Sequence, residues 1–166
     1  MRIITGQYKG RHFDIPRSFK ARPTTDFAKE NIFNVLNAYI DFEDAMALDL
    51  FSGTGSISLE LLSRGCKNVV SVEADRDHYA FIKQCLAKLG TDRCITIRGD
   101  VFRFLKTCHQ QFDFIFADPP YALKQLKEIP DIVLSGNLLT DDGIFVFEVN
   151  QLHLLQLDLY QQILHH

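Results

Sequence analysis

The chain has 166 residues, of which 46% are apolar and fourteen are Phe; that suits one domain with a substantial core and excludes a disordered chain. No run approaches the roughly 20 apolar residues that cross a bilayer, and the opening MRIITGQYKGRHFDIP lacks the apolar stretch of a secretory signal. The net charge of −3 divides unevenly, because residues 1–30 carry seven Lys/Arg against three acids and residues 31–166 carry eleven against eighteen.

A basic arm (+4) on an acidic body (−7) fits a grip on a polyanion, and equally a solvated terminus. Cys66, Cys85, Cys94 and Cys108 form no CxxC pair and have no His at zinc-ligand spacing. They are expected to be reduced packing residues of a cytoplasmic protein, with no metal site.

The first elements are short. RIIT, a GQYKG turn and RHFDI before Pro16 read as a small β-hairpin, so residues 1–21 form a basic hairpin appendage and residues 22–166 the main domain. In TTDFAKENIFNVLNAYI, residues Ala28, Ile32, Val35, Leu36 and Tyr39 recur at helical spacing, with Thr25 or Asp26 as N-cap. From residue 45 the apolar runs AMALDLF, NVVSVEA, CITIRG, FDFIFAD and GIFVFEV have strand length. They alternate with the helical patterns SISLELLSRG, RDHYAFIKQCLAKLG, VFRFLKTC and LKQLKEIPDIVLSG. Continuous apolar strands between amphipathic helices predict an α/β fold, a mostly parallel, doubly wound sheet covered on both faces. Residues 151–166 suit a helix or a strand equally, and His165 and His166 could begin a tag.

Ligands of such sheets bind beyond the carboxyl ends of the strands, where the strand order reverses. After the first strand, Asp49-Leu50-Phe51-Ser52-Gly53-Thr54-Gly55 puts a carboxylate beside a glycine turn at a helix N-terminus. A P-loop lysine is missing, and Ser58 stands where a dinucleotide fingerprint requires Gly. Asp49 would repel a pyrophosphate and attract an ammonium. Glu73 ends the second strand and can accept from both ribose hydroxyls. Asp100, beside Val101, can accept from an adenine amine or cap the next helix. The fourth strand ends in Asp118-Pro119-Pro120-Tyr121. Two prolines remove two donors and leave a carboxylate, carbonyls and a stacking ring, a lining complementary to the amino group of a planar base.

With these sites in order, the sequence resembles a class I S-adenosylmethionine-dependent methyltransferase. It is closest to the RsmD-like family, which methylates N2 of a guanine in bacterial 16S ribosomal RNA. The resemblance covers residues 1 to about 149. It rests on Arg22-Pro23-Thr24-Thr25-Asp26, Lys29-Glu30-Asn31-Ile32-Phe33-Asn34, Asp49 to Gly55, Asp118 to Tyr121, Arg2-Ile3-Ile4 and Lys9-Gly10-Arg11. It implies a Rossmann-like fold in which Asp49, Phe51, Gly53 and Gly55 hold the methionine end of the cofactor. Glu73 would hold its ribose, Asp100 and Val101 its adenine, and Arg22, Thr24 and Thr25 would close over it.

The resemblance also implies that Asp118, at the boundary of cofactor and substrate, forms the catalytic group with Pro119, Pro120 and Tyr121. Arg2, Lys9, Arg11, Arg17 and Lys20 would meet RNA. The implied partner is 16S ribosomal RNA within a small-subunit particle, the implied state a monomer, with no membrane and no metal. Thr5-Gly6-Gln7 departs from the paired glycines often found there, and the tail after Glu148 lacks the turn-linked last two strands, so a shortened or unusual sheet end is expected. The competing readings are an N6-adenine methyltransferase of DNA or RNA, a nicotinamide-dependent oxidoreductase, and a non-catalytic RNA-binding module.

Overall fold

A computed structural model describes residues 1–19, 24–120, 122–149 and 151–156. Strands β1 (Met46–Leu50), β2 (Asn68–Glu73), β3 (Cys94–Arg98), β4 (Phe112–Ala117) and β5 (Leu139–Val149) are parallel, and β6 (Gln151–Gln156) pairs antiparallel with β5. The order β3-β2-β1-β4-β5-β6 reverses direction between β1 and β4. The connecting helices are α1 (Asp26–Leu36), α2 (Ser56–Ser63), α3 (Arg76–Leu89), α4 (Val101–Thr107) and α5 (Ile129–Ser135).

Alternation along the strands builds two cores. Ala47, Val69, Phe114, Phe116, Ile144 and Val146 pack under α1, α2 and α3, whereas Leu48, Leu50, Val70, Val72, Ile115, Phe145 and Phe147 pack under α4 and α5. This is the doubly wound α/β arrangement that the apolar runs predict. Two boundaries differ from the sequence pattern. The helix expected over 123–136 begins as a 3-10 turn (Leu126–Glu128), and α5 starts at Ile129 with Pro130 in its first turn. A proline ring clashes with a preceding helical turn but suits the first one. The fifth strand starts at Leu139, ahead of GIFVFEV, with a register shift against β4 between Phe112 and Phe114. The tail, ambiguous by periodicity, takes the strand form over 151–156 and completes a hairpin on β5. His165 and His166 lie outside the described residues.

In the N-terminal segment the antiparallel pairing expected of a β-hairpin is short. Its pairing is one isolated antiparallel bridge, Arg2 with His12, supported by Ile3 N–H to the Arg11 carbonyl at 3.0 Å and Phe13 N–H to the Met1 carbonyl at 2.8 Å. The reason lies in α2. Glu60, fully buried, accepts from Ile4 N–H at 2.9 Å and Thr5 N–H at 3.1 Å, and the Ser63 hydroxyl accepts from Tyr8 N–H at 2.9 Å. These donors serve a helix instead of a second strand. Residues 2–8 therefore run down α2 towards the amino edge of the sheet, and the chain returns along α3, where Phe19 stacks edge-on against His78 and Phe81.

Glu60 also takes Arg64 Nε at 3.1 Å and faces Lys29 Nζ at 3.6 Å. Lys29, 1% exposed, donates in turn to the Arg2 carbonyl at 2.5 Å and the Ser56 hydroxyl at 3.1 Å. Burial pulls the Lys29 ammonium below its ordinary pKa, opposed by Glu60. One carboxylate thus joins the N-terminal segment, α1 and α2. The four cysteines are free thiols; burial pushes Cys66 and Cys94 up to about 12 and Cys85 up to about 11, which leaves them protonated packing groups. Among the described residues no helix is long and apolar enough to cross a membrane.

Removing Glu60 would leave the buried Lys29 cation without its counter-charge and two backbone N–H groups without their acceptor. Glu60→Ala is expected to destabilise the fold by about 3–5 kcal/mol in urea titration; a loss below about 1 kcal/mol would contradict this clasp.

Candidate active site at the carboxyl edge of the sheet

In-register parallel pairs share a face. Asp49 is paired with Ser71 on one side and Phe116 on the other, and Phe116 with Val146. Two residues further along, Glu73, Asp118 and Glu148 therefore stand on the same face as Asp49, one step of about 6.6 Å nearer the open edge. Four adjacent strands, β2, β1, β4 and β5, each contribute one carboxylate to the switch point. Their separation along the sheet is set by the interstrand spacing of about 4.8 Å.

β1 stops at Leu50, level with Ala117 at the end of β4, and Phe51 adopts φ +57°, a left-handed conformation that strains a bulky residue. Gly53 and Gly55 follow at φ +56° and +82°. A Cβ at Gly53 would meet nothing within 4 Å, so the turn faces open space there. At Gly55 it would lie 2.9 Å from Ile82 Cγ1, so this glycine permits close packing of α2 on α3. The chain therefore bends away beyond Asp49, at the switch point where such sheets form their ligand cleft.

Asp49 is 1% exposed and makes no ion pair with a described residue. Burial first, and then the charges of Asp118 and Glu73, push its carboxyl up to about 7, against a lowering hydrogen bond from Ser58. Behind it three buried hydroxyls form a chain. Asp49 Oδ2 lies 2.6 Å from Ser58 Oγ, which lies 3.1 Å from Ser71 Oγ; Ser71 donates to Ser52 at 2.6 Å, and Ser52 to the Asp49 carbonyl at 2.8 Å. A hydroxyl has one proton to give. With Asp49 protonated, every link carries one proton in a single direction. With Asp49 ionised, Ser58 must donate to it, and the Ser58–Ser71 link loses its proton. Proton counting and burial agree in favouring the neutral acid, and an approaching cation would draw it into the charged form.

The other acids are differently engaged. Glu73 accepts from Gly53 N–H at 2.8 Å and Asp75 N–H at 2.9 Å, which ties the glycine turn to the cap of α3. Each oxygen keeps a lone pair. Asp100 caps α4, accepting from Arg103 N–H at 3.0 Å through Oδ1, with Val101 buried beside it. Asp118 follows β4, and burial first, then Glu148, push its carboxyl up to about 6. It accepts no hydrogen bond from a described residue, and neither Pro119 nor Pro120 has an N–H to offer it. Thr25 caps α1, accepting from Ala28 N–H at 3.1 Å, and Thr24 precedes it. Arg22, Lys20 and Tyr121 lie outside the described residues.

The expected RNA contacts separate. Arg2 pairs with Asp26 at 3.3 Å, at the end of α1 nearest the cleft, and Arg17 is exposed beyond Pro16. Arg11 donates to the Lys88 carbonyl at the far end of α3, and Lys9 sits in the turn there, near the amino edge of the sheet. The basic residues thus occupy both ends of the molecule. Glu148, Lys29, Glu60 and the serines Ser52, Ser58 and Ser71 were missed as site or support residues. Glu148 ends the fifth apolar run as Glu73 and Asp118 end theirs, so the same rule could have found it.

The family model for Conserved hypothetical protein 95 matches residues 1–163. A Bacillus subtilis protein provisionally described as an rRNA methyltransferase is 36% identical over 152 residues, covering 89% of this chain and 82% of its own. The Escherichia coli ribosomal RNA small subunit methyltransferase D is 32% identical over 148 residues, covering 89% and 74%. A solved Escherichia coli structure, provisionally described as a methyltransferase, superposes with a TM-score of 0.79 at 31% identity, covering 89% and 80%.

The raised Asp49 carboxyl binds its proton more tightly folded than unfolded, so it costs stability progressively as the pH rises from about 4 through about 7. Asp49→Asn keeps a donor for Ser58 and removes that cost. The variant should be more stable than the unaltered chain at pH 8, by of order 2–4 kcal/mol, with little difference at pH 4. Parallel urea profiles at both pH values would refute the assignment.

Proposed function

The chain belongs to the Conserved hypothetical protein 95 family, and we propose that it transfers a methyl group from S-adenosylmethionine to the exocyclic N2 amine of a guanine in 16S ribosomal RNA. The observation that carries this reading is the acceptor lining that the described residues give the switch point: Asp118, followed by two prolines, beside a buried Asp49 that has no counter-cation among the described residues. The relatives named for small-subunit ribosomal RNA methylation support the same substrate class.

The residues fit the cofactor. Asp49 offers a desolvated carboxylate to an α-ammonium, the turn at Gly53 opens towards free space, and Glu73 retains a lone pair on each oxygen for ribose hydroxyls. Asp100 Oδ2 remains for an adenine amine once Oδ1 has capped α4. When bound, S-adenosylmethionine supplies a methyl group on a positively charged sulfur, electrophilic enough to need no metal.

The protein's part is to make a weak nucleophile reactive. An exocyclic guanine amine delocalises its lone pair into the ring. Asp118 and the Pro119 carbonyl, accepting its N–H groups, favour a pyramidal nitrogen and stabilise the positive charge that develops there. The carboxyl of Asp118, near 6, is ionised at neutral pH and can take the proton released. Tyr121 supplies a face on which an unstacked base can rest. Thr24, Thr25 and Arg22 precede and open α1 and serve as the cover of the cofactor. Arg2 and Arg17 guide the RNA at the cleft end, Lys9 and Arg11 reach a more distant part of it, and Lys20 supplies a further cation for RNA. The working state is a monomer acting in the cytoplasm on an assembling small-subunit particle, which supplies recognition that so small a basic arm does not.

Labelled S-adenosylmethionine and small subunits from undermethylated cells test the reading: nucleoside mass spectrometry should find N2-methylguanosine. N6-methyladenosine would move the chain to the adenine reading. Asp118→Ala should lower turnover by at least about 10³-fold while changing cofactor affinity by less than about tenfold; near-normal turnover would remove Asp118 from the chemistry. Because the ammonium requires ionised Asp49, cofactor affinity should fall as the pH drops below about 7. Asp49→Asn should bind weakly at every pH, and calorimetry from pH 6 to 8 would expose a failure of either expectation.

A further inference from the structure

Glu148 is a carboxylate of the switch point to which no role has yet been given. It follows Phe147, which is paired in register with Ala117, so Glu148 and Asp118 are neighbours on adjoining parallel strands and stand on the same face. The other acids of the edge are spent on backbone: Glu73 on Gly53 and Asp75, Asp100 on Arg103. Glu148 is half-buried, yet it accepts no hydrogen bond and makes no ion pair with a described residue. Its charge is felt directly by Asp118. Two like charges side by side with no donor between them are costly, and the pair is stabilised only when donors enter the cleft.

We infer that Glu148 accepts the ring N1–H of the target base while Asp118 accepts from its exocyclic amine, so that the two carboxylates together select guanine. The inference rests on the function proposed above. Guanine presents N1–H and an amino group side by side, two donors facing two acceptors. Adenine presents its amino group beside N1 as a lone pair. In that site it would set a nitrogen lone pair against a Glu148 oxygen with no proton between them, and leave a desolvated acceptor unpaired. Asp118 alone cannot make this distinction, because both bases offer it an amine. Glu148 is thus a specificity-determining residue, and the register of β4 with β5 holds it at the correct spacing.

The test combines a base analogue altered at N1 with a variant of Glu148. Once the methylated nucleotide has been mapped, small subunits are reconstituted with 16S RNA carrying either guanine or 2-aminopurine there, introduced by ligation of a synthetic segment. 2-Aminopurine keeps the exocyclic amine, replaces N1–H with a lone pair and also lacks O6, so the Glu148 variant is what assigns the difference to N1. The unaltered protein should methylate guanine faster by roughly 10- to 100-fold. Glu148→Gln, whose amide can accept N1–H through its oxygen or donate to that lone pair through its nitrogen, should bring the ratio close to unity, chiefly by gaining rate on 2-aminopurine, with cofactor affinity unchanged in calorimetry. Equal rates on both bases by the unaltered protein would overturn the inference without need of any variant. So would a Glu148→Gln variant that binds cofactor normally and keeps the original ratio. Transfer to neither base by the unaltered protein would remove the proposed function itself, and the inference with it.

Discussion

Everything at the working edge of this molecule follows from a buried carboxylate with no cation from the described residues beside it. Asp49 stands at the centre of the sheet, 1% exposed, where burial and two neighbouring acids hold its carboxyl near 7. A group in that condition destabilises the fold in its charged form. Its retention at the point where the strand order reverses, under a turn that bends away from it, is the pattern of a site that stores unfavourable electrostatics until a cationic ligand relieves them. The serine chain behind it makes the stored state tolerable, because Ser58, Ser71 and Ser52 satisfy one another with Asp49 neutral.

The turn above Asp49 must be held firmly for this to work, and the support comes from the opposite side of α2. Ser56 begins that helix immediately after the glycine turn, and Lys29 binds its hydroxyl while facing Glu60 and bonding the Arg2 carbonyl. Glu60 fastens Ile4 and Thr5 one turn further along. The N-terminal segment is therefore part of the scaffold of the cleft. Ile3 and Phe13, both buried, belong to the same core as α1 and α2. A buried ion pair adds little net stability but fixes one arrangement of the elements it joins, since any other leaves a charge unpaired. Register at the cleft gains more from this clasp than does stability.

Much of this was legible in the sequence, and the failures have physical causes. Strand-length apolar runs separated by amphipathic segments identify a parallel sheet because both of its faces are buried, and the carboxyl-end rule then leads to Asp49, Glu73, Asp100 and Asp118 without coordinates. The hairpin expected over residues 1–21 pairs over no more than one bridge, because alternation in RIIT and RHFDI cannot reveal that Glu60, over fifty residues away, takes the N–H groups of Ile4 and Thr5. Ser58 was read only as a missing glycine, and its hydrogen bond to Asp49 depends on the pitch of α2 against β1. Glu148 was passed over because its significance is a matter of register: only β4 beside β5 makes it the neighbour of Asp118. The basic arm shows the same limit. Its charge is plain in composition, but the path down α2 and back along α3 decides that Lys9 and Arg11 lie at the edge remote from the cleft.

The sign of the cleft also decides how a nucleic acid can approach. Glu73, Asp49, Asp118 and Glu148 line one edge of the sheet, so a phosphate brought there would meet four acids in a half-buried setting. The part of a nucleotide that can enter is the part rich in donors, namely the amino-bearing edge of an unstacked base. The phosphates must remain outside, on the flanks, where Arg2 and Arg17 are exposed. Repulsion therefore does part of the orienting: it excludes the backbone and admits a base edge first. An acidic interior with cations only at its margin requires the base to leave its stack, and it favours substrates in which a surrounding assembly has already paid much of that unstacking cost.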